Sequence, residues 1–323
     1  MIENFKTELN RIKSELNNFV TIVKPDFDKP DWWAGAPSVS RSLEDKKFYL
    51  SCRMREAESR RGRCGYEIRI FESNDGINFN LINKINRVEV KLPVFERPCL
   101  VQDPNSKKFK FFGCSEFIEG WGVWKLDDVT NPQSFDSSTL HRVLVPELPT
   151  NDFVRVVGYK DPFIFYNENN KIWHMFVIGF DRVERTYHFI SSDGGESWQK
   201  FKTQPILENV GWHNFFTRPA CVLPLEIGFL FIYEGSNVFW RDPVYNIATG
   251  IAFTMDLINF YDLTPNEPFI TSPTPGNYIT WRYSHWINVS ENNEVYVYYE
   301  SACHNDTNEV RLSKFKTTNV MVY

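Results

Sequence analysis

One segment recurs five times along this chain, and few folds are built from five copies of one unit in series. Its clearest copy is Tyr159-Lys160-Asp161-Pro162-Phe163-Ile164-Phe165-Tyr166. The others are Gly35-Ala36-Pro37-Ser38-Val39, Glu96-Arg97-Pro98-Cys99-Leu100-Val101, Thr217-Arg218-Pro219-Ala220-Cys221-Val222 and Trp281-Arg282-Tyr283-Ser284-His285-Trp286, the last with Tyr in place of Pro. With residues 37, 98, 162, 219 and 283 as register marks, the copies lie about 60 residues apart, the scale of a structural repeat.

Each mark is followed by an aromatic run: Phe48-Tyr49-Leu50, Phe109 to Phe112, Trp173 to Val177, Phe229 to Tyr233 and Val295 to Tyr299. A third run follows at Glu67 to Ile70, Gly122 to Trp124, Tyr187 to Ile190, Gly250 to Phe253 and Glu309 to Leu312. Asn, Asp, Gly and Pro divide these runs, so they read as short strands with turn punctuation. Roughly four strands per unit, repeated in series, predict a β-propeller, because one blade cannot bury both faces of its own sheet. The expected fold is all-β, a five-bladed β-propeller of four-stranded antiparallel blades over residues 31–323, after an N-terminal segment over residues 1–30.

In that segment Phe5, Leu9, Ile12, Leu16 and Phe19 recur at helical spacing, which predicts an amphipathic helix to about residue 18. Lying outside the repeats, it is expected to pack on the propeller rim or to join subunits of a homo-oligomer. Val20-Thr21-Ile22-Val23 can add a strand that helps close the ring, although the last unit has enough C-terminal sequence for all its own strands.

Aromatic residues make up 16% of the chain; most suit packing between facing sheets, and some suit a sugar site, where flat rings stack on pyranose faces. A net charge of −5 argues against a nucleic-acid surface. No apolar run approaches the ~18 residues of a membrane span and no leader pattern opens the chain, so a cytoplasmic protein without a membrane partner is expected. Cys52, Cys64, Cys99, Cys114, Cys221 and Cys303 lack CxxC spacing and read as buried reduced thiols.

Leading strands of a propeller line its channel, and second strands return antiparallel, so strand starts and second-strand ends meet at one face. That geometry gathers Asp31, Glu96, Arg97, Lys160, Asp161, Arg218, Arg282 and His285 with Arg53, Arg55, Glu56, Glu116, Asp181, Glu234, Glu300 and His304. Charges converge in a narrow cavity only if they pair or serve a ligand. Asp161, Glu96 and Glu234 are the candidate catalytic carboxyls; Asp31, Arg53, Arg55, Arg97, Arg218, Arg282, His285 and Trp33 are the candidate substrate-binding residues. Several guanidinium groups in one funnel point to an anionic ligand, a uronate, a phosphorylated sugar or phosphate. The competing reading pairs each Arg with Glu56, Glu96, Glu116 or Glu234 to hold blades together. Arg60-Arg61-Gly62-Arg63 lies on a loop at the same face and could close over an acidic substrate.

The strand starts, Tyr49 to Arg53 with Ser73-Asn74-Asp75-Gly76-Ile77-Asn78-Phe79, Lys160-Asp161-Pro162 and Tyr233-Glu234-Gly235 resemble the five-bladed propeller glycosidases. These are the arabinanase and xylosidase group (family 43), the fructosidases (family 32) and the mannoside phosphorylases and hydrolases (family 130). The resemblance covers nearly everything after residue 30 and implies a small carbohydrate substrate and carboxyls on both sides of a glycosidic bond. It implies that Asp161 orients the sugar and tunes the acid, and that His285 is an axial His holding a water, calcium or phosphate; no other cofactor is required. The arabinanase base falls at Ala36, its acid at Thr217 or Arg218, and Glu96-Arg97-Pro98 stands where the mannoside group has Glu-Asp-Pro. The expected function is a glycoside hydrolase-like enzyme acting on a short sugar in the central funnel, with a phosphate-dependent phosphorylase and a non-catalytic carbohydrate-binding propeller as alternatives. Ser191 to Trp198 resembles the Asp box of sialidase-like propellers and Met255 to Phe260 a degraded one; both imply a structural turn in which Asp accepts backbone amides.

Overall fold

Strands such as Ile172–Phe180 and Glu294–Ala302 are rich in aromatic and β-branched residues and buried along nearly their whole length, because a neighbouring sheet covers each face. The computed structural model describes residues 2–59, 62–147 and 156–317. Arg60 and Arg61, and the side chain of Phe5, lie outside the described residues.

Three sheets have four strands each. They comprise Cys99–Gln102, Phe109–Phe117, Gly120–Val129 and His141–Leu144; Tyr159–Asn167, Ile172–Phe180, Glu184–Ser191 and Gln199–Lys200; and Phe216–Pro224, Phe229–Ser236, Ala248–Thr254 and Tyr261–Asp262. A further sheet of eight strands joins two such units. Trp33–Arg41, Phe48–Ser59, Gly62–Ser73 and Asn80–Asn86 meet Trp281–Val289, Glu294–Ala302 and Asn308–Lys316 through the parallel pair Trp33↔Asn308. Val20–Val23 pairs antiparallel with Asn308–Lys316, Val20 opposite Leu312, so the last unit takes its fourth strand from the N-terminal segment rather than from the C-terminus. Serial four-stranded sheets of this kind fit a propeller-like fold.

Every leading strand begins with the same bulge, in which two residues stand opposite one. Ala36 and Pro37 lie between the pairs Gly35↔Arg53 and Ser38↔Ser51, and Asp161 and Pro162 between Lys160↔Ile178 and Phe163↔Phe176. Pro219 and Ala220 lie between Arg218↔Glu234 and Cys221↔Ile232, and Tyr283 and Ser284 between Arg282↔Glu300 and His285↔Tyr298. The bond from Glu96 N to Cys114 O and the pair Cys99↔Phe112 give Arg97 and Pro98 the same place. Ala220 and Ser284, one residue past the marks 219 and 283, are therefore the counterparts of Pro37, Pro98 and Pro162. Ala36, Asp161 and Tyr283 take φ of 50°, 56° and 52° at the first bulge position, a strained region for residues with a side chain.

The core lies between neighbouring sheets. Tyr49, Ile68 and Ile70 pack with Phe111, Trp124 and Leu126. Cys99 and Phe112 pack with Met175 and Val177, and Phe176 with Phe231. Burying one such side chain stabilises the fold by about 1.5–3 kcal/mol. Asp75, Asp193 and Asp256 each accept two backbone amides of their turns, at 2.8 to 3.1 Å, so the degraded box around Met255 to Phe260 makes the same turn as the others.

The helix spans Ile2–Leu16 and lies along Asn308–Lys316: Ser313 Oγ donates to Leu16 O at 2.9 Å. Leu9, Ile12 and Leu16 are buried in the chain's own core, the first of the two placements expected for the helix; Phe19 lies beyond the helix with Arg311 over its ring. None of the six cysteines is disulfide-bonded. No helix among the described residues is long and apolar enough to cross a membrane.

Candidate functional site

The bulge register decides which side chains gather at the end where leading strands start. The residues just before the bulges are Gly35, Glu96, Lys160, Arg218 and Arg282, and their partners on the second strands include Arg53, Glu234 and Glu300. Charged groups of both signs thus gather at one end, and they form three clusters.

The first is centred on Glu300, which has no exposed surface. One carboxylate oxygen accepts from Arg282 Nε at 3.0 Å and Nη2 at 2.6 Å and from Asn308 Nδ2 at 2.6 Å. The other accepts from Arg53 Nη2 at 3.2 Å and Ala36 N at 3.0 Å. Arg53 also binds Glu96, as does Arg55. Burial acts to raise the Glu96 carboxyl, but Arg55 and Arg53 outweigh it and hold the pKa at about 2. Glu300 is likewise lowered, burial being outweighed by Arg282 and Arg53.

The second cluster is Lys160, Glu184 and Arg218. Glu184 accepts from Lys160 Nζ at 2.5 Å and from Arg218 Nε and Nη2 at 2.5 Å. Here too burial is outweighed, by Arg218 and Lys160, and the pKa falls to about 2.

Tyr283 ties the third together. Its hydroxyl donates to Asp161 Oδ2 at 2.9 Å and its backbone N–H donates to Glu234 Oε1. Asp161 Oδ1 accepts from Arg97 N at 3.3 Å. Glu234 Oε2 is buried with no hydrogen-bond partner among the described residues. Burial pushes this carboxyl up to about 7 against the pull of Arg97, so it carries a proton at neutral pH in a large fraction of molecules.

Several candidates lie elsewhere or are occupied differently from expectation. Arg97 is buried and donates to the carbonyls of Pro219 and Ala220 rather than to a ligand or carboxylate. Trp33 is only 2% exposed, wedged against Arg55, Arg63 and Arg282, which leaves no open face for a sugar. Asp31 pairs with Arg63 Nε at 2.7 Å. His285 Nδ1 accepts from Val39 N at 3.1 Å, and burial, with Arg97 adding to it, lowers its pKa to about 3. His285 therefore sits past the bulge, on a cavity of about 320 Å³ lined by the later residues of all five leading strands, away from the clusters above. Among the described residues no three His, Cys, Asp or Glu side chains are grouped to hold a metal.

Arg63 forms a clasp across the site end. Beyond its pairing with Asp31 it donates to Tyr278 Oη at 3.1 Å and to Asp242 Oδ2 at 3.4 Å, and it lies 4.0 Å over the Tyr245 ring. The long first hairpin is thereby tied to a connection of the fourth unit and to the lead-in of the last. On the other side, a cavity of about 300 Å³ opens beside Trp121, Lys160, Phe180 and Glu184. A second of about 180 Å³ shares Phe180 and Glu184 and reaches Arg218.

Sequence reasoning missed Glu184, Trp121 and Tyr283 as site residues. Glu184 opens a third strand instead of closing a second one, so strand-end counting passes over it. In the sequence Tyr283 stands in the place of a proline, but the shared bulge makes it the counterpart of Ala36 and Asp161. Glu300 carried a legible signal, since Tyr299-Glu300-Ser301 repeats Tyr233-Glu234-Gly235 one unit later.

No family model matches the sequence, and no curated protein matches it. Solved structures do. A structure described as a glycoside hydrolase is 13% identical, covering 98% of each chain at a TM-score of 0.66. A thermostable family-43 glycoside hydrolase is 12% identical over 92% of this chain and 94% of its own, with a TM-score of 0.61. A structure reported with the family-130 mannoside phosphorylases, a family containing hydrolases that target β-1,2 mannosidic linkages in Candida mannan, is 15% identical over 95% of this chain and 96% of its own, with a TM-score of 0.65. The chain has the fold of these glycoside hydrolase structures along nearly its whole length.

Proposed function

We propose that the chain is a five-bladed propeller enzyme that cleaves a glycosidic bond at the end where its leading strands start, with Glu234 as the proton donor. One observation carries this reading: two carboxyls at that end are pushed apart, Glu234 up to about 7 and Glu96 down to about 2. Such a split separates a carboxylic acid from a carboxylate at one pH. In this reading Glu234 Oε2–H protonates the leaving oxygen as the C–O bond breaks. Ionised Glu96 stabilises the positive charge that develops on the sugar ring, and water then bonds to the anomeric carbon and gives its proton to the Glu234 carboxylate, restoring the acid. Asp161 orients the sugar, and the Tyr283 side chain swings away to admit it, breaking a hydrogen bond to a carboxylate of about 1.5–3 kcal/mol and giving up its contacts with Arg53, Arg97 and Arg282. Arg53, Arg55, Arg218 and Arg282 already hold Glu96, Glu184 and Glu300, which favours a short neutral sugar over an anionic one and hydrolysis over phosphorolysis.

The second reading is a propeller that binds sugar without cleaving it, favoured by the complete burial of Glu234. Turnover of neutral and acidic oligosaccharides, with and without phosphate, by wild type, E234Q and E96Q separates the two. Cleavage abolished in E234Q is the expected result. Cleavage that survives E234Q removes Glu234 as the acid, and binding without cleavage by folded wild type establishes the second reading.

A further inference from the structure

The three clusters leave little for a ligand to touch along the axis. Arg53, Arg97, Glu234, Arg282 and Glu300 have at most 1% of their surface exposed, and Arg63 bars approach from the side of the first, fourth and last units. The polar groups that do face open space are those of the second cluster, and the walls beside them are aromatic. The Trp121 ring is partly exposed with Lys160 Nζ 5.7 Å from its centroid, and Phe180 is 43% exposed on the far side of the same cavity. Gly158, just before the strand that delivers Lys160, lies against the main chain of Trp121: a Cβ there would come to 3.2 Å from the Trp121 Cβ.

We infer that this off-axis cleft between the second and third sheets is a binding subsite for one neutral sugar ring. The sugar's apolar face lies on Trp121 or Phe180, and its hydroxyls donate to Glu184 and accept from Lys160. The chemistry selects the ligand class. Flat apolar walls with a donor and an acceptor at one edge match a pyranose or furanose ring. The charges beside it, Lys160 and Arg218 against Glu184 and Asp161, balance, so a net anion gains little there. A volume of about 300 Å³ suits one ring and not an extended chain. The inference rests on the carbohydrate reading above and adds where substrate enters: from the Trp121 side, past Glu184, toward Asp161 and Glu234.

The test is calorimetric titration of wild type, W121A and F180A with β-1,2-mannobiose, xylobiose and arabinobiose, with thermal melts confirming that each variant is folded. At least one disaccharide should bind wild type, and bind W121A or F180A roughly tenfold more weakly, the loss expected for one stacking ring. Binding unchanged in both aromatic variants takes the ligand out of the cleft and overturns the inference, as does no heat from any of the three sugars at saturating concentration. Phe180 is exposed enough that F180A stays informative if W121A fails to fold. Cleft binding without turnover leaves the subsite standing and removes the hydrolase reading; turnover indifferent to Trp121 and Phe180 does the reverse.

Discussion

Gly35 stands where the other units carry Glu96, Lys160, Arg218 and Arg282, and the reason is Glu300. A Cβ built on Gly35 falls 1.8 Å from Glu300 Oε2 and 2.7 Å from its Cγ, with no positive φ to add backbone strain. Gly35→Ala must therefore push a fully buried carboxylate off Arg53, Ala36 N and Arg282. Uncoupling buried ions from their partners costs about 3–5 kcal/mol, a large share of the roughly 5–15 kcal/mol that holds a domain folded. Glu300→Ala should cost a similar amount, because it strands Arg53 and Arg282. The double variant should then be no worse than E300A alone, since the space the methyl needs has been vacated. Urea unfolding of the two singles and the double measures this as a coupling of about 3 kcal/mol, opposite in sign to further destabilisation. Additivity to within about 0.5 kcal/mol would refute the reasoning, because it would mean that Gly35 is required by its own backbone and not by the carboxylate above it.

Two pH dependences follow. His174 and His188 are buried neutral, their ring nitrogens 2.8 Å apart; burial lowers His174 to about 4, and burial with His174 beside it lowers His188 to about 2. The unfolded chain takes up these protons near pH 6.5 and the folded one does not. Each His therefore removes up to about 1.4 kcal/mol per pH unit as pH falls from about 6.5 toward 4. Urea midpoints at pH 7, 6 and 5 should decline, and H188Q should flatten the decline; an unchanged slope in H188Q would contradict the assignment. Glu234 works the other way: the folded state keeps a proton that the unfolded chain releases near pH 4.5, so this group's contribution diminishes as pH rises through about 7. E234Q should gain stability relative to wild type between pH 5 and pH 8, and a pH-independent difference would show that the carboxyl is ionised throughout.

The strands were legible because aromatic and β-branched runs, divided by turn residues, recur about every 60 residues; each second and third run lies within an observed strand. The bulges were not. A local excess of one residue leaves no compositional trace when its occupants are as different as Ala36-Pro37 and Tyr283-Ser284, and it is this excess that sets which side chains meet. Strand polarity alone gathers Glu96, Asp161, Glu234 and the arginines at the site end. Their partners were less readable, because pairing across units depends on side-chain reach: Arg97 ends at the Pro219 and Ala220 carbonyls, and Glu184 reaches the site from a strand that polarity assigns to no channel role. Trp33 misled because a tryptophan at a channel entrance looks the same in sequence whether its face is open or covered by Arg55, Arg63 and Arg282.

The pairing of Val20–Val23 with Asn308–Lys316 has a kinetic consequence. Each of the three separate sheets is made from strands that follow one another in the chain, so its hydrogen bonds close short loops. The last sheet needs partners almost the whole chain apart, and loop-closure entropy makes such contacts late and slow. Folding should therefore run in two stages, sheets first and the joining of the first and last units after. During synthesis the helix and first strand must wait, with Leu9, Ile12 and Leu16 uncovered, until the final strand emerges. A refolding phase that disappears when residues 1–23 are removed, leaving faster sheet formation intact, is the signature of that joining step.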